Sequence, residues 1–287
     1  MSTKTPLFAF FGTPHFATVV LDELEAQGLL PALVITAPDK PQGRGLEVLP
    51  SPAKQWAIER GIDVLTPATL KDEQLIAEIK NSEWDLFVVA AYNKLIPKSV
   101  LEIPKHGCLN VHPSLLPKFR GPSPALSAIL ADERETGVSV MLMNERMDEG
   151  PVVAQARIAL DEDAWPPKGS EFEELLAKEG GSLLAETIPF WIKGQITPEP
   201  QDNAQATFSK KFSSEDALVD VNGDARKELC KIRAFDKNPR AFYMAEKNGK
   251  KIRVIITDAT LEDGVLTLLK VIPEGKKEMS YGDFLRG

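Results

Sequence analysis

The sequence predicts an α/β protein whose mostly parallel sheet is covered by helices on both faces, followed by a small β-rich domain. Three observations predict it. Apolar runs such as LFAFFG (residues 7–12) and WDLFVVAAY (84–92) do not alternate with polar residues, as strands buried on both faces do not. Segments with apolar residues at helical spacing separate these runs, the order that builds a parallel sheet. Beyond residue 207 the pattern changes to β-branched residues punctuated by Asp-Gly and Glu-Gly turns.

Each element follows in order. LFAFFG is a buried strand, and PHFATVVLDELEAQG (14–28) is a helix ending at Gly28. ALVITAPD (32–39) is a second strand. SPAKQWAIERG (51–61) is a helix with Ser51 as its cap and Pro52 in its first turn. WDLFVVAAY is the third strand, GCLNVHPS (107–114) the fourth, and SPALSAILADE (123–133) a helix. VSVMLMNERMDEGPVVAQARIAL (138–160) predicts two strands forming an antiparallel edge, and SEFEELLAKEGGSLLAETIPFWIKG (170–194) a closing helix. GQITPEPQDNAQAT (194–207) is almost without apolar residues and reads as a linker. After it, ALVDVNGDARKELCKIRAF (217–235) holds one helix, and KKIRVIITDATLEDGVLTLLKVIPEGK (250–276) short strands. The domains expected are residues 1–193, a linker over 194–207, and residues 208–287.

The formal charge of −8 is uneven: residues 203–287 carry +3 and residues 1–202 carry −11. Two cysteines, Cys108 and Cys230, are too few for a disulfide framework and form no CxxC pair, which fits a reducing compartment, with the cytoplasm as default. The apolar run near the N-terminus is shorter than a secretory h-region, and no stretch approaches the length of a membrane span, so no membrane association is expected. The first loop, FGTPHF, lacks GxGxxG, which leaves a dinucleotide cofactor unsupported, and a P-loop is absent too.

The candidate chemistry sits at the end of the fourth strand. Residues two apart share a face of a strand, so Asn110 and His112 project together at its carboxyl end, where open α/β sheets form their ligand crevices. Histidine moves protons near neutral pH, and an Asn amide is a neutral donor to a developing oxyanion, a pair suited to acyl transfer onto an amine. Spacing alone leaves open that both are merely hydrogen-bonded strand-end residues. A metal site from His106, Cys108 and His112 is the other alternative, disfavoured because all three ligands would lie on one short segment; no metal is expected. In MDEGP (147–151), Asp148 could orient His112 or relay its proton, with Glu149 as a near competitor.

Two further features are basic. PDKPQGRG (38–45) places Lys40 and Arg44 on a glycine-containing loop, either a phosphate contact or plain surface. Residues 226–253 hold ten Lys/Arg, Lys231 and Arg233 among them, against three acids, with Phe235, Phe242 and Tyr243 interleaved. That composition suits a polyanion groove as well as it suits a solvated basic face.

Together, NVHPSLLPKFRGPSP, MDEGP, FGTPHFA, APDKPQGRG, AAYNKLIPKSVLEIPKHGCLN, QDNAQATFSKK, IRAF and PEGKKEMSYGDFLRG resemble the folate-dependent formyltransferases, and among them those that act on methionyl-tRNA, over nearly the whole chain. The resemblance implies a Rossmann-like catalytic domain and a reduced, OB-like C-terminal β-barrel that contacts tRNA. It implies 10-formyltetrahydrofolate as cosubstrate without a metal, initiator methionyl-tRNA as acceptor, and a monomeric enzyme. Asn110, His112 and Asp148 map onto the family's catalytic group. Ser114, Leu115, Leu116 and Pro117 map onto the border of the folate, and the loop around Arg44 onto the element that meets the acceptor stem. A formyltransferase acting on a small amine such as a sugar nucleotide, and a non-catalytic tRNA-binding relative, are the rival expectations.

Overall fold

The computed structural model describes residues 5–42, 47–247 and 249–286. Its chain runs β1 (Phe8–Gly12), α1 (His15–Ala26), β2 (Leu33–Ile35), β3 (Lys40–Gln42), β4 (Glu47–Leu49), α2 (Pro52–Glu59), β5 (Asp63–Leu65), α3 (Glu73–Lys80), β6 (Leu86–Ala90), α4 (Lys98–Leu101), β7 (Cys108–His112), α5 (Pro124–Leu130), β8 (Thr136–Leu142) and β9 (Val152–Ile158). Then come α6 (Gly169–Ile192), α7 (Ala225–Ala234), β10 (Phe242–Lys247), β11 (Lys250–Glu262), β12 (Val265–Pro273), β13 (Met279–Ser280) and α8 (Tyr281–Arg286). The chain divides into two compact units. One comprises Met1–Arg120, Gly137–Arg157 and Glu174–Thr207; the other comprises Gly121–Thr136, Ile158–Glu173 and Phe208–Gly287.

In the first unit a seven-stranded sheet has the order β5-β2-β1-β6-β7-β8-β9. β1 pairs in parallel with β2 and β6, β6 pairs in parallel with β7, and β8 returns antiparallel along β7, as the expected edge pair requires. The chain builds outward from β1 to β5, then crosses to β6 on the other side, so a topological switch point lies between β1 and β6. Every residue of β1, β6 and β7 is buried, because helices cover both faces. Residues of α1, α2 and α6 fill one apolar layer with Phe8, Phe10, Leu109 and Val111. Residues of α3 and α4 fill the other with Ala9, Phe11, Phe87 and Cys108. Helix α6 lies hard against the back of β7: a Cβ at Gly180 would stand 2.4 Å from Val111 Cγ1. Glycine there lets the helix brace the strand that carries the candidate site.

The sequence signals account for the helix ends. Ser51 Oγ accepts from Lys54 N–H at 3.1 Å and Pro52 opens α2, while Asp72 and Asp224 accept from the first turns of α3 and α7. The segment 194–207 is ordered within the first unit, with Glu199 bridging to Val152.

The second unit holds the antiparallel sheet β10-β11-β12-β13, an open meander. Among the described residues no strand pair closes it into a barrel, so the small β domain is present as a sheet packed on α7 and α8. Asp263 and Gly264, both with positive φ (49° and 79°), turn β11 into β12 as an Asp-Gly hairpin should. Leu229, Ile232, Val254, Ile256 and Val271 form its core.

Candidate active site

The site grows from the carboxyl end of β7. The pleat sends Asn110 and His112 to one face, opposite Met141 and Ser139 of β8 in register. Both are buried, at 8% and 4% exposure. Among the described residues the Asn110 amide makes no hydrogen bond, and it keeps a little exposure, so a donor stands ready at the strand end. His112 Nε2 lies 3.0 Å from the Phe119 carbonyl oxygen. A carbonyl only accepts, so Nε2 carries a hydrogen and Nδ1 is the nitrogen left to exchange protons. That nitrogen faces Asp148 Oδ1 at 3.8 Å. Structure thus brings Asn110, His112 and Asp148 to one place. Glu149 goes elsewhere: its carboxylate lies 3.8 Å from Arg120 Nη1 and 3.3 Å from Arg146 Nη1.

The turn that delivers Asp148 is tight. Asp148 has φ of +52°, in the left-handed region that costs a residue with a Cβ about 1 kcal/mol or more. A Cβ at Gly150 would lie 1.8 Å from the Leu142 carbonyl oxygen, so the Gly of the Asp-x-Gly motif is demanded by the approach of the turn to β8. Leu142 N–H, which donates to the Pro151 carbonyl at 2.9 Å, closes this loop on the strand.

Three residues escaped the sequence reading. Ser139, fully buried on β8, donates to the Ser114 carbonyl (2.6 Å) and accepts from Leu116 N–H (3.0 Å) and Gln155 Nε2 (2.8 Å). It ties down the loop after β7. Arg120, 2% exposed, donates from Nε to Gln201 Oε1 (2.9 Å) and from Nη2 to Asn203 Oδ1 (2.8 Å). Gln201 Nε2 in turn donates to the carbonyls of Asp148 (2.8 Å) and Gly150 (2.7 Å). An arginine inside the apolar loop KFRGPSP and a row of amides in QDNAQAT were the only signals in the sequence.

The segment 114–117 is held from inside. Ser114 Oγ donates to the Lys118 carbonyl at 2.6 Å, Leu116 is buried, the Leu116–Pro117 peptide is cis, and Leu115 and Pro117 are partly exposed, Leu115 with a methyl against Gly137. At the end of β6, the strand paired with β7, Ala91 takes a positive φ of 49° and the Tyr92 hydroxyl is buried without a hydrogen-bond partner, its pKa pushed up to about 12 by burial. An orphaned hydroxyl and an unpartnered amide at neighbouring strand ends fit a polar ring system with an acyl group, as a formyl-folate presents. Cys108, on the same face of β7, points its thiol at the Leu101 carbonyl and is held protonated by burial, its pKa pushed up to about 12. Among the described residues no three His, Cys, Asp or Glu side chains are grouped to hold a metal.

The basic candidates divide. Lys40 is exposed on β3, paired with β4; Arg44 lies outside the described residues. Lys231 Nζ is bound to Glu228 (2.8 Å) and the Leu218 carbonyl (3.0 Å), and Arg233 to the Ala259 carbonyl (3.1 Å) with Asp258 at 3.9 Å. Arg253 stacks over Phe242 at 3.6 Å. Much of the positive charge over 226–253 is therefore engaged within the second unit.

Residues 6–185 match the family model described as formyl transferase. The chain is 37% identical to the methionyl-tRNA formyltransferase of Dictyoglomus thermophilum, covering 97% of this chain and 96% of that protein. It is 39% identical to that of Roseiflexus castenholzii, with 97% and 95% covered. Among solved structures, the sugar 3N-formyl transferase WlaRD, in the presence of dTDP and 5-N-formyl-THF, aligns with a TM-score of 0.64 at 18% identity over 96% of this chain and all of that one. The methionyl-tRNA formyltransferase from Clostridium thermocellum aligns with a TM-score of 0.61 at 18% identity, over 96% of this chain and 99% of that one. These two structures share the fold while differing in acceptor, so the assignment within the family rests on the near-full-length relatives: the chain belongs to the formyl transferase family, among the methionyl-tRNA formyltransferases.

Proposed function

We propose that this enzyme transfers the formyl group of 10-formyltetrahydrofolate to the α-amino group of initiator methionyl-tRNA, giving formylmethionyl-tRNA and tetrahydrofolate. One observation carries the chemistry: His112, with Nε2 on the Phe119 carbonyl, turns Nδ1 toward Asp148 beside the unpartnered Asn110 amide. The formyl-folate supplies an activated one-carbon acyl group. Asn110 donates to the acyl oxygen as negative charge grows there. An aminoacyl amine must lose a proton before it attacks; Asp148 accepts it or attracts the ammonium, and His112 Nδ1, 3.8 Å from the carboxylate, exchanges protons with the reacting groups. Tyr92, Leu115 and the scaffold of Ser114, Leu116 and Pro117 border the folate.

Lys40 and Arg44, in the segment 38–45, meet the acceptor stem, and the basic stretch 226–253 supplies a contact to the tRNA backbone. Lys231 and Arg233 serve that contact chiefly by fixing α7, since their charges are engaged at Glu228 and Asp258. We assign the enzyme to the cytoplasm as a monomer; no helix among the described residues is long and apolar enough to cross a membrane.

The test is formyl transfer from 10-formyltetrahydrofolate to methionyl-tRNA, run beside free methionine and an amino-sugar nucleotide, with Asp148→Ala and His112→Ala. Product on the tRNA alone, lost in both variants, is the expected result. Transfer to the sugar nucleotide with none to tRNA would overturn the acceptor, and full activity in both variants would overturn the site.

A further inference from the structure

We propose that Gln201 is a positioning residue for formyl transfer: its amide clamps the turn 148–150 so that the Asp148 carboxylate faces His112, and Arg120 fixes which way that amide points. The inference rests on the reading in which Asp148 and His112 handle the proton.

Gln201 commits both amide hydrogens and its oxygen to the site. Nε2 donates to the Asp148 and Gly150 carbonyls (2.8 and 2.7 Å), which flank the residue bearing the competing carboxylate, and Oε1 accepts from Arg120 Nε (2.9 Å). A flipped amide would set Oε1 against two carbonyl oxygens and an NH2 group against a guanidinium, so its orientation is determined. Arg120 is buried, and its backbone N–H donates to the Thr207 carbonyl (2.9 Å), while the Phe119 N–H donates to Thr207 Oγ1 (2.8 Å). Phe119 is the residue whose carbonyl holds His112 Nε2. The contacts close a circuit: His112 to Phe119, along the backbone to Arg120, to Gln201, to Asp148, and across 3.8 Å back to His112.

The choice of glutamine has a chemical reason. Asp148 sits at a positive φ, a conformation that persists only where surroundings fix it, and the two bonds from Gln201 fix the carbonyls on either side of Glu149. A neutral amide does this without adding charge beside the carboxylate and imidazole that exchange protons. A lysine would supply donors together with a cation; a glutamate would supply only acceptors. Close placement of a catalytic carboxylate justifies this much scaffolding, because misplacement by about 1 Å costs roughly a hundredfold in rate.

The experiment uses full-length protein carrying Gln201→Glu, which keeps the acceptor for Arg120 but removes both donors, and the near-isosteric Gln201→Met, each alone and combined with Asp148→Asn. Steady-state formyl transfer to methionyl-tRNA is measured for all, with thermal midpoints to confirm folding; if Gln201→Glu fails to fold, Gln201→Met carries the test. Positioning predicts that kcat falls about 10- to 100-fold, with KM for both substrates within about twofold, the size of outer-contact effects at catalytic sites. Because Gln201 acts through Asp148, the same substitution in the Asp148→Asn background should cost less than about threefold. A cost undiminished in that background, a wild-type kcat in Gln201→Glu, or an effect confined to KM would overturn the proposal. If Asp148→Asn alone retains wild-type kcat, the catalytic reading fails and the proposal with it, a result distinct from the other three.

Discussion

Asp148 Oδ1 stands 3.8 Å from His112 Nδ1, too far for a hydrogen bond and near enough for charge to be felt. The ring is held by the Phe119 carbonyl on its other side, so the carboxylate is spared the task of orienting it. Replacing His112 by Ala should therefore lower kcat by about 10²- to 10⁴-fold with the KM for methionyl-tRNA nearly unchanged. Asn110→Ala, which removes the donor to the developing charge, should cost about 10²- to 10³-fold. Single-turnover formylation of methionyl-tRNA measures both, and a wild-type rate in either variant would remove that residue from the chemistry.

Gly150→Ala should disable the enzyme without touching any polar group of the site. A Cβ there would press on the Leu142 carbonyl at 1.8 Å, and one of the two backbones must move, carrying Asp148 with it. We expect a drop of at least about tenfold in kcat and a lowered thermal midpoint, the mark of overpacking against backbone. Equal activity would show that the turn can slide along β8 without consequence.

Ser139→Ala removes the common partner of Ser114, Leu116 and Gln155. Leaving a buried N–H and a carbonyl unsatisfied should cost about 1–3 kcal/mol of stability, read from urea unfolding. Loosening of the loop 114–117 should also raise the KM for 10-formyltetrahydrofolate more than that for tRNA. A change in the tRNA KM alone would place this loop away from the folate.

Arg44→Ala should raise the KM for methionyl-tRNA by about tenfold, as expected for one charge-assisted phosphate contact, and leave the folate KM alone. The salt dependence of that KM should become shallower. An unchanged KM at low and high salt would return the segment to ordinary surface.

Asp132 makes the second unit acid-sensitive. It accepts from Arg226 Nη2 (2.7 Å) and Nε (3.0 Å) and from Trp165 Nε1 (2.7 Å), and the Arg226 hydrogen bond holds its carboxyl below the usual range. The folded pKa being depressed, its stabilisation is complete above the unfolded value of about 3.9 and disappears as pH falls through the folded one. The pair is partly solvent-exposed, so Asp132→Asn should cost no more than about 1 kcal/mol at pH 7, less in high salt, and the cost should fade as pH drops through the depressed folded pKa. Thermal melts across pH give the comparison; a cost independent of pH would mean that the Trp165 contact dominates.

The parts of this molecule legible in the sequence are those whose cause is local. β1, β6 and β7 are long apolar runs, Ser51 and Asp-Gly announce their cap and turn, and a spacing of two puts Asn110 and His112 on one face. β5, three residues long, and α3, with Ile79 as its buried residue, bury too little to leave a pattern. The β3–β4 hairpin hid behind Pro41 and an exposed sequence that reads as a loop. Arg120 and Gln201 meet across 81 positions, a distance along the chain about which spacing is silent. The expected small β domain is there, but among the described residues its four strands form an open meander rather than a closed barrel.

Synthesis order gives the stretch 194–207 a consequence of its own. Gln201 follows Asp148 by 53 residues, so a ribosome has already made the strand end and the acid turn when the tie between them is still untranslated. A fragment stopped at residue 193 would hold all three reactive side chains and lack Gln201, Asn203 and Thr207. Any attempt to express the catalytic half alone should end beyond Thr207; otherwise it will yield a chain with the right side chains and a slack active centre.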